Sequence, residues 1–195
     1  MKAASISTSI VSTAFALAMV SASAFAGEIK DTEINADKAK NYSQGSGSTA
    51  KQWIGVAGGG GAKIENSTIN AGNAKNTAQG AGSTAKQTIG EAAGNGKITN
   101  TQVNAANAKN TAKGSDSTAM QTIGKASGQG KITDSHIIAN KAVNTSVGAS
   151  STATQKIGVV EHKGKLTNVG VHANSATNTA GGSHSNAEQK IGVAK

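Results

Sequence analysis

Four histidines, His136, His162, His172 and His184, are the residues of this 195-residue chain that could ligate a transition metal through nitrogen, and there is no cysteine to add thiolates. Zinc sites gather three or four such ligands around one ion, often from short fixed spacings. The histidines show no such spacing, and each falls in a different column of the internal repeat described below. The glycine run 58–61 could cradle a phosphate only if Lys-Ser/Thr followed it, whereas Ala62-Lys63-Ile64 does. No Gly-x-Ser-x-Gly elbow presents a serine nucleophile, and the acids are scattered. Sequons at Asn41, Asn66 and Asn144 are what chance gives in a chain rich in Asn, Ser and Thr. These residues predict no enzyme, no metal and no cofactor.

The chemistry that does recur is that of amides. The stretch GSTAKQTIG at 82–90 returns as GSTAKQWIG at 47–55, DSTAMQTIG at 116–124, SSTATQKIG at 150–158 and HSNAEQKIG at 184–192. Aligning from Glu28, Lys63, Lys97, Lys131 and Lys165 gives one offset of 35 residues and three of 34, with the extra residue absorbed in the glycine run. The repeats are therefore 28–62, 63–96, 97–130, 131–164 and 165–195 within one domain, 27–195. One column holds Asn41, Asn76, Asn110, Asn144 and Asn178; another holds Gln52, Gln87, Gln121, Gln155 and Gln189. Ile54, Ile89, Ile123, Ile157 and Ile191 form the strictest aliphatic column, followed at once by Gly55, Gly90, Gly124, Gly158 and Gly192. A second glycine column runs through Gly45, Gly80, Gly114, Gly148 and Gly182.

Strands are the elements that must position these side chains. In Ala-x-Gln-x-Ile-Gly the constant residues alternate with variable ones, and period two puts them on one face of a strand. The glycine then ends the strand or bends its backbone. Ile98 and Val103 are five residues apart, so a bend or bulge is needed between them if both face inward. A helical reading exists, because Ala105, Ala108, Ala112, Ser115 and Ala119 follow a 3-4 spacing. Gly114 interrupts it at a cost of about 1 kcal/mol, and the surrounding Asn, Thr and Ser each cost a few tenths to ~0.7 kcal/mol. The sequence accordingly predicts an all-β chain, a β-solenoid or stacked β-arcade of five 34–35-residue repeats.

The first 26 residues predict a cleaved signal peptide: Lys2, the apolar run AFALAMV and the site Ala24-Phe25-Ala26. An exported chain starting at Gly27 follows. Beyond it Tyr42 and Trp53 are the remaining aromatics, proline is absent, and Gly, Ala, Ser, Thr and Asn dominate. Large apolar side chains are too few for a thick core, so order must come from backbone pairing and thin layers. All basic residues are lysine and the net charge is +9. Without arginine's bidentate fork, sequence-specific nucleic-acid binding is disfavoured. Nonspecific attraction to anionic polysaccharide, extracellular DNA or cell surfaces is compatible with this charge.

Constant columns imply stacking. Rungs about 4.8 Å apart place each residue over its own copy, and a buried amide can then bond to the copies above and below. Lys63, Lys97, Lys131 and Lys165 form an unbroken run after Glu28, expected at an exposed turn where the side chains can splay. Open terminal rungs match the opposite end of another molecule, and such a head-to-tail contact does not close. Tyr42 and Trp53 interrupt the pattern in the first repeat and are candidates for a docking end. Two threonine columns, Thr77, Thr111, Thr145, Thr179 and Thr49, Thr84, Thr118, Thr152, support an alternative ice-binding reading, weakened where Tyr42 and Asn186 interrupt them. A repetitive surface adhesin that never polymerises is the third alternative.

The core Asn110-x-Ala112-x-Gly114-x-x-Ser117-x-Ala119-x-Gln121 resembles the Gln/Asn/Gly/Ala-rich repeats of curlin-like bacterial functional-amyloid fibre subunits. The likeness lies in the composition and rhythm of the repeat, since the period is longer than the curlin unit and Ser117 stands where those repeats carry Asn. The resemblance implies a secreted subunit that self-assembles into extracellular fibres for adhesion or biofilm matrix, with a secretion pore and a nucleator as partners besides the homopolymer itself.

Overall fold

The computed structural model describes residues 27–162 and 164–194, together with the backbone of 4–5, 9–13 and 18–22. The proposed cleavage site at residues 24–26 lies outside the described residues. The described chain contains strands and turns and no helix, wound as a β-solenoid of five coils. Each coil contributes to three parallel sheets. The first sheet takes Glu28–Lys30 with Glu33–Asn35, Lys63–Glu65 with Thr68–Ala71, Lys97–Thr99 with Gln102–Ala105, then the unbroken Lys131–Ala139 and Lys165–Ala173. The second takes Lys40–Gln44, Lys75–Gln79, Ala108–Lys113, Ala142–Val147 and Ala176–Gly181. The third takes Thr49–Ala57, Thr84–Ala92, Thr118–Ala126, Thr152–Val160 and Asn186–Ala194.

Pairing is in register throughout, and it sets the constant columns like residue over like residue. Gln87 lies between Gln52 and Gln121, and Asn110 between Asn76 and Asn144. Alternation sets the faces: in Thr152–Val160 the residues Ala153, Gln155 and Ile157 are buried while Thr152, Thr154 and Lys156 look outward. Ile64, Ile69, Ile89, Ile98, Val103, Ile123, Ile132 and Ile137 are fully buried in one continuous core. Each such side chain withdraws apolar surface worth about 1.5–3 kcal/mol. A separate cluster of Ala50, Ala78, Ala85, Ala112 and Ala119 sits between the second and third sheets, with the small buried Ser43 and Ser146 continuing the column of Ala78 and Ala112.

The glycines act at two corners, and one expectation is refined there. Gly55, Gly90, Gly124 and Gly158 do not end their strands; they lie inside nine-residue strands at φ of +60 to +65°. A Cβ on Gly55 would lie 2.6 Å from Ile69, and one on Gly124 the same distance from Ile137. Each glycine thus makes room for the aliphatic residue of the following coil. At the other corner a Cβ on Gly114 would approach the Gly80 carbonyl oxygen to 2.1 Å, so stacked turns exclude any side chain. The bend between Ile98 and Val103 is made by Asn100 at φ 48°, and Asp31, Asn66, Asp134 and Asn168 do the same at φ 47–51° in the other coils. Asn and Asp tolerate this left-handed region better than other L residues.

Backbone strands Ala4–Ser5, Ser9–Thr13 and Ala18–Ala22 pair in parallel with the first-coil strands Glu33–Asn35, Lys40–Gln44 and Thr49–Ala57.

Candidate functional site

Two amide ladders run through the solenoid, and they point in opposite directions. The Nδ2 of each asparagine donates forward to the Oδ1 of the next: Asn41 to Asn76 at 2.8 Å, Asn76 to Asn110 at 2.8 Å, Asn110 to Asn144 at 2.9 Å and Asn144 to Asn178 at 2.8 Å. The Nε2 of each glutamine donates backward: Gln87 to Gln52 at 2.6 Å, Gln121 to Gln87 at 2.8 Å, Gln155 to Gln121 at 2.6 Å and Gln189 to Gln155 at 2.5 Å. Opposed polarity partly cancels the two rows of aligned dipoles. Each ladder also ties sheets together within its own coil. Asn110 donates to the Met120 carbonyl in the third sheet at 2.9 Å, and Gln121 donates to the Ala108 carbonyl in the second at 3.0 Å. The amides of Gln52, Gln87, Gln121, Gln155, Asn76, Asn110 and Asn144 lie inside the protein. Buried amides that lacked partners would each cost roughly 1–3 kcal/mol.

Among the described residues, one side of the fifth coil is left uncovered. Ile54, Ile89, Ile123 and Ile157 are 0 % exposed, whereas Ile191 in the same column is 40 % exposed. Leu166, Val169, Val171, Ala173 and Ala176 are only partly covered, against burial of their counterparts Ile132, Ser135, Ile137, Ala139 and Ala142 one coil earlier. Above Gly55, Gly90, Gly124 and Gly158 the next coil's Ile69, Val103, Ile137 and Val171 fill the space, but a Cβ on Gly192 would meet nothing nearer than Val171 at 4.0 Å. A socket for one aliphatic side chain is left there. Gln189 is exposed, and its carboxamide oxygen faces the same open side of the ladder.

Charge sits on the outer faces. Glu28, Lys63, Lys97, Lys131 and Lys165 are stacked in register at the start of the first sheet, where Lys97, Lys131 and Lys165 are exposed. On the third sheet an ion chain climbs three coils: Lys125 Nζ is 3.5 Å from Glu91 and 3.1 Å from Glu161, which also meets Lys156 at 2.5 Å. Partial burial pushes the Glu161 carboxyl up, but hydrogen bonds and charge from Lys156 and Lys125 outweigh it and hold the group at about 2. Lys190 is raised by its hydrogen bond to Glu188, partial desolvation opposing this.

The remaining candidates scatter. Among the described residues no three His, Asp or Glu side chains come together to hold a metal ion, and no helix is long and apolar enough to cross a membrane. The glycine run 58–61 forms a turn between the third sheet and the next coil. Tyr42 Oη bonds to Gln79 Oε1 at 2.9 Å on the outside of the second sheet, and Trp53 stands beside the buried Thr88 on the third. The two threonine columns fall on different sheets, second and third, so they do not form the paired ranks of one flat face. A polar groove of about 350 Å³ lies along the first-sheet bend, lined by Asn66, Thr68, Asn100, Gln102, Asp134 and His136 among others.

Two features of the surface go beyond what the sequence predicts. The bend asparagines and aspartates form two exposed runs of amide bonds: Asn66 donates to Asp31 at 3.1 Å and Asn100 to Asn66 at 3.0 Å, and separately Asn168 donates to Asp134 at 2.7 Å. Their signal was available, since Asn or Asp recurs there in every repeat. The Glu91–Lys125–Glu161 chain had no columnar signal, because its members occupy two different columns. No protein-family model matches the chain, and no curated protein or solved structure is significantly similar to it.

Proposed function

We propose that the chain is a secreted structural subunit that assembles head-to-tail, by β-strand addition, into extracellular fibres serving adhesion or a biofilm matrix. The repetitive β-solenoid is consistent with a structural or adhesin-like protein. The observation that carries the finer reading is the open fifth coil, with its half-exposed Ile191 and the socket over Gly192. The first coil of a second copy supplies what is missing, since Ile34 stands in the column of Ile69, Val103, Ile137 and Val171. The three strands of the fifth coil would pair with the four of the first, sheet by sheet, so each junction adds main-chain hydrogen bonds as well as apolar burial. The edge strands within residues 4–22 occupy that first-coil surface, and removal of the leader frees it. Self is then the principal partner; a secretion pore and a nucleator complete the export route. The lysine-rich exterior suits anionic polysaccharide or cell surfaces. Catalysis has no place in this reading.

The test is to express the full-length chain in a secreting bacterial host, identify the N-terminus of the released product by mass spectrometry, and follow that product by electron microscopy and fibre diffraction. Filaments with a meridional spacing near ~4.8 Å are expected. A product that retains residues 1–26, or that stays monodisperse on prolonged incubation, overturns the proposal.

A further inference from the structure

Inside the chain, equal charges are stacked repeatedly. Lys63, Lys97, Lys131 and Lys165 are neighbours, as are Lys40, Lys75 and Lys109, Lys51 and Lys86, and Lys156 and Lys190. Covalent connection enforces these contacts, so the chain tolerates them. A junction between separate molecules has no such enforcement and must be favourable by itself.

Continuing the register by one coil shows what each fifth-coil residue would meet. Lys165 reaches Glu28, because Glu28 heads the lysine column. Glu188 reaches Lys51, the first member of its own column. Lys190 reaches Trp53. Thr177 meets Lys40, Gly170 meets Glu33 and Thr167 meets Lys30, so no like charges are opposed in the paired columns. Gln52 in turn would donate to the open oxygen of Gln189, as Gln189 does to Gln155.

We infer that Lys165–Glu28, Glu188–Lys51 and Lys190–Trp53 contacts select the register and polarity of the junction between two copies of this chain. The inference rests on the head-to-tail reading and names the residues that discriminate within it. Lysine over an indole face adds a cation–π attraction available at this end alone, since Trp53 is the single tryptophan. Specificity then comes as much from repulsion of misaligned copies as from attraction of aligned ones.

The experiment uses the exported, processed product of the full-length chain and measures seeded elongation at low salt. Lys165→Glu or Glu28→Lys alone should slow elongation about 3- to 10-fold, the range expected for an exposed ion pair and its reversal. The double swap should recover most of the rate, and 1 M salt should erase the differences. Glu188→Lys with Lys51→Glu gives an independent pair, and circular dichroism of each monomer confirms folding. A Trp53 emission change on elongation that Lys190→Met abolishes reports the third contact. Wild-type product that forms no filaments overturns the underlying reading. Filaments whose elongation ignores both single swaps, or is not recovered by either double swap, overturn this inference and leave that reading standing.

Discussion

Replacing Gln121 by methionine, which keeps length and volume, removes one member of the glutamine ladder and orphans one particular atom. Gln155 Nε2 loses Gln121 Oε1 but still donates to the Ala142 carbonyl at 3.1 Å and the Thr177 carbonyl at 3.4 Å. The Ala108 carbonyl loses one of its two bonds. Gln87 Oε1 loses its donor inside the core and has no replacement, because its Nε2 is held by Gln52 and the Ala74 carbonyl. One buried orphan acceptor costs about 1–3 kcal/mol. The triple variant Gln87→Met, Gln121→Met, Gln155→Met also leaves a single buried side-chain acceptor orphaned, Gln52 Oε1, since the three deleted amides satisfied one another and the exposed Gln189, which loses Gln155 Oε1, keeps the Ala176 carbonyl. Its cost should therefore stay within about 1 kcal/mol of the single variant's, whereas independent sites would give roughly three times as much. Urea unfolding of dilute monomer, followed by circular dichroism, measures both. Repeat arrays can unfold in stages, so coincidence of far-ultraviolet and Trp53 signals must be checked first. A triple variant that loses stability additively would show that the glutamines act separately and would refute the ladder argument.

Gly114→Ala should be far costlier than a typical surface change, about 3 kcal/mol or more, because its methyl would fall 2.1 Å from the Gly80 carbonyl oxygen at φ +133°; loss of the folding transition at room temperature or a steep fall in Tm checks this. Asn100→Ala should cost about 1 kcal/mol and Asn100→Gly clearly less, since the position needs φ 48°, and paired urea midpoints test the difference. Glu161 is held at about 2, below its ordinary 4.5, so its contribution is complete above about pH 4.5 and is lost as pH falls through about 2. Carboxyl NMR titration should show that depressed midpoint, and Lys125→Met should move it upward. Ile123→Ala should cost about 2–5 kcal/mol, as expected for a cavity in a core with no spare apolar side chain, and calorimetry measures it.

The amino-acid sequence alone determined the period, the constant columns and the strand character of Ala-x-Gln-x-Ile-Gly. Periodicity two is local, and equality of columns follows from any in-register stack, so neither needs coordinates to be read. The bend between Ile98 and Val103 was legible for the same reason, as the distance of five residues breaks alternation whatever the fold. Three properties needed the tertiary structure. Three sheets per coil depend on how far the chain turns between strands, as at the stacked Gly80 and Gly114 turns that lead from the second sheet to the third, and a glycine in the sequence does not fix that angle. The opposite directions of the two ladders depend on which carbonyl each amide reaches first, Met120 for Asn110 and Ala108 for Gln121, across elements distant in the chain. The socket over Gly192 exists only because Ile69, Val103, Ile137 and Val171 fill its equivalents from the coil above. A glycine in sequence is a freedom of the backbone, and only its neighbours in space make it a place where another side chain can bind.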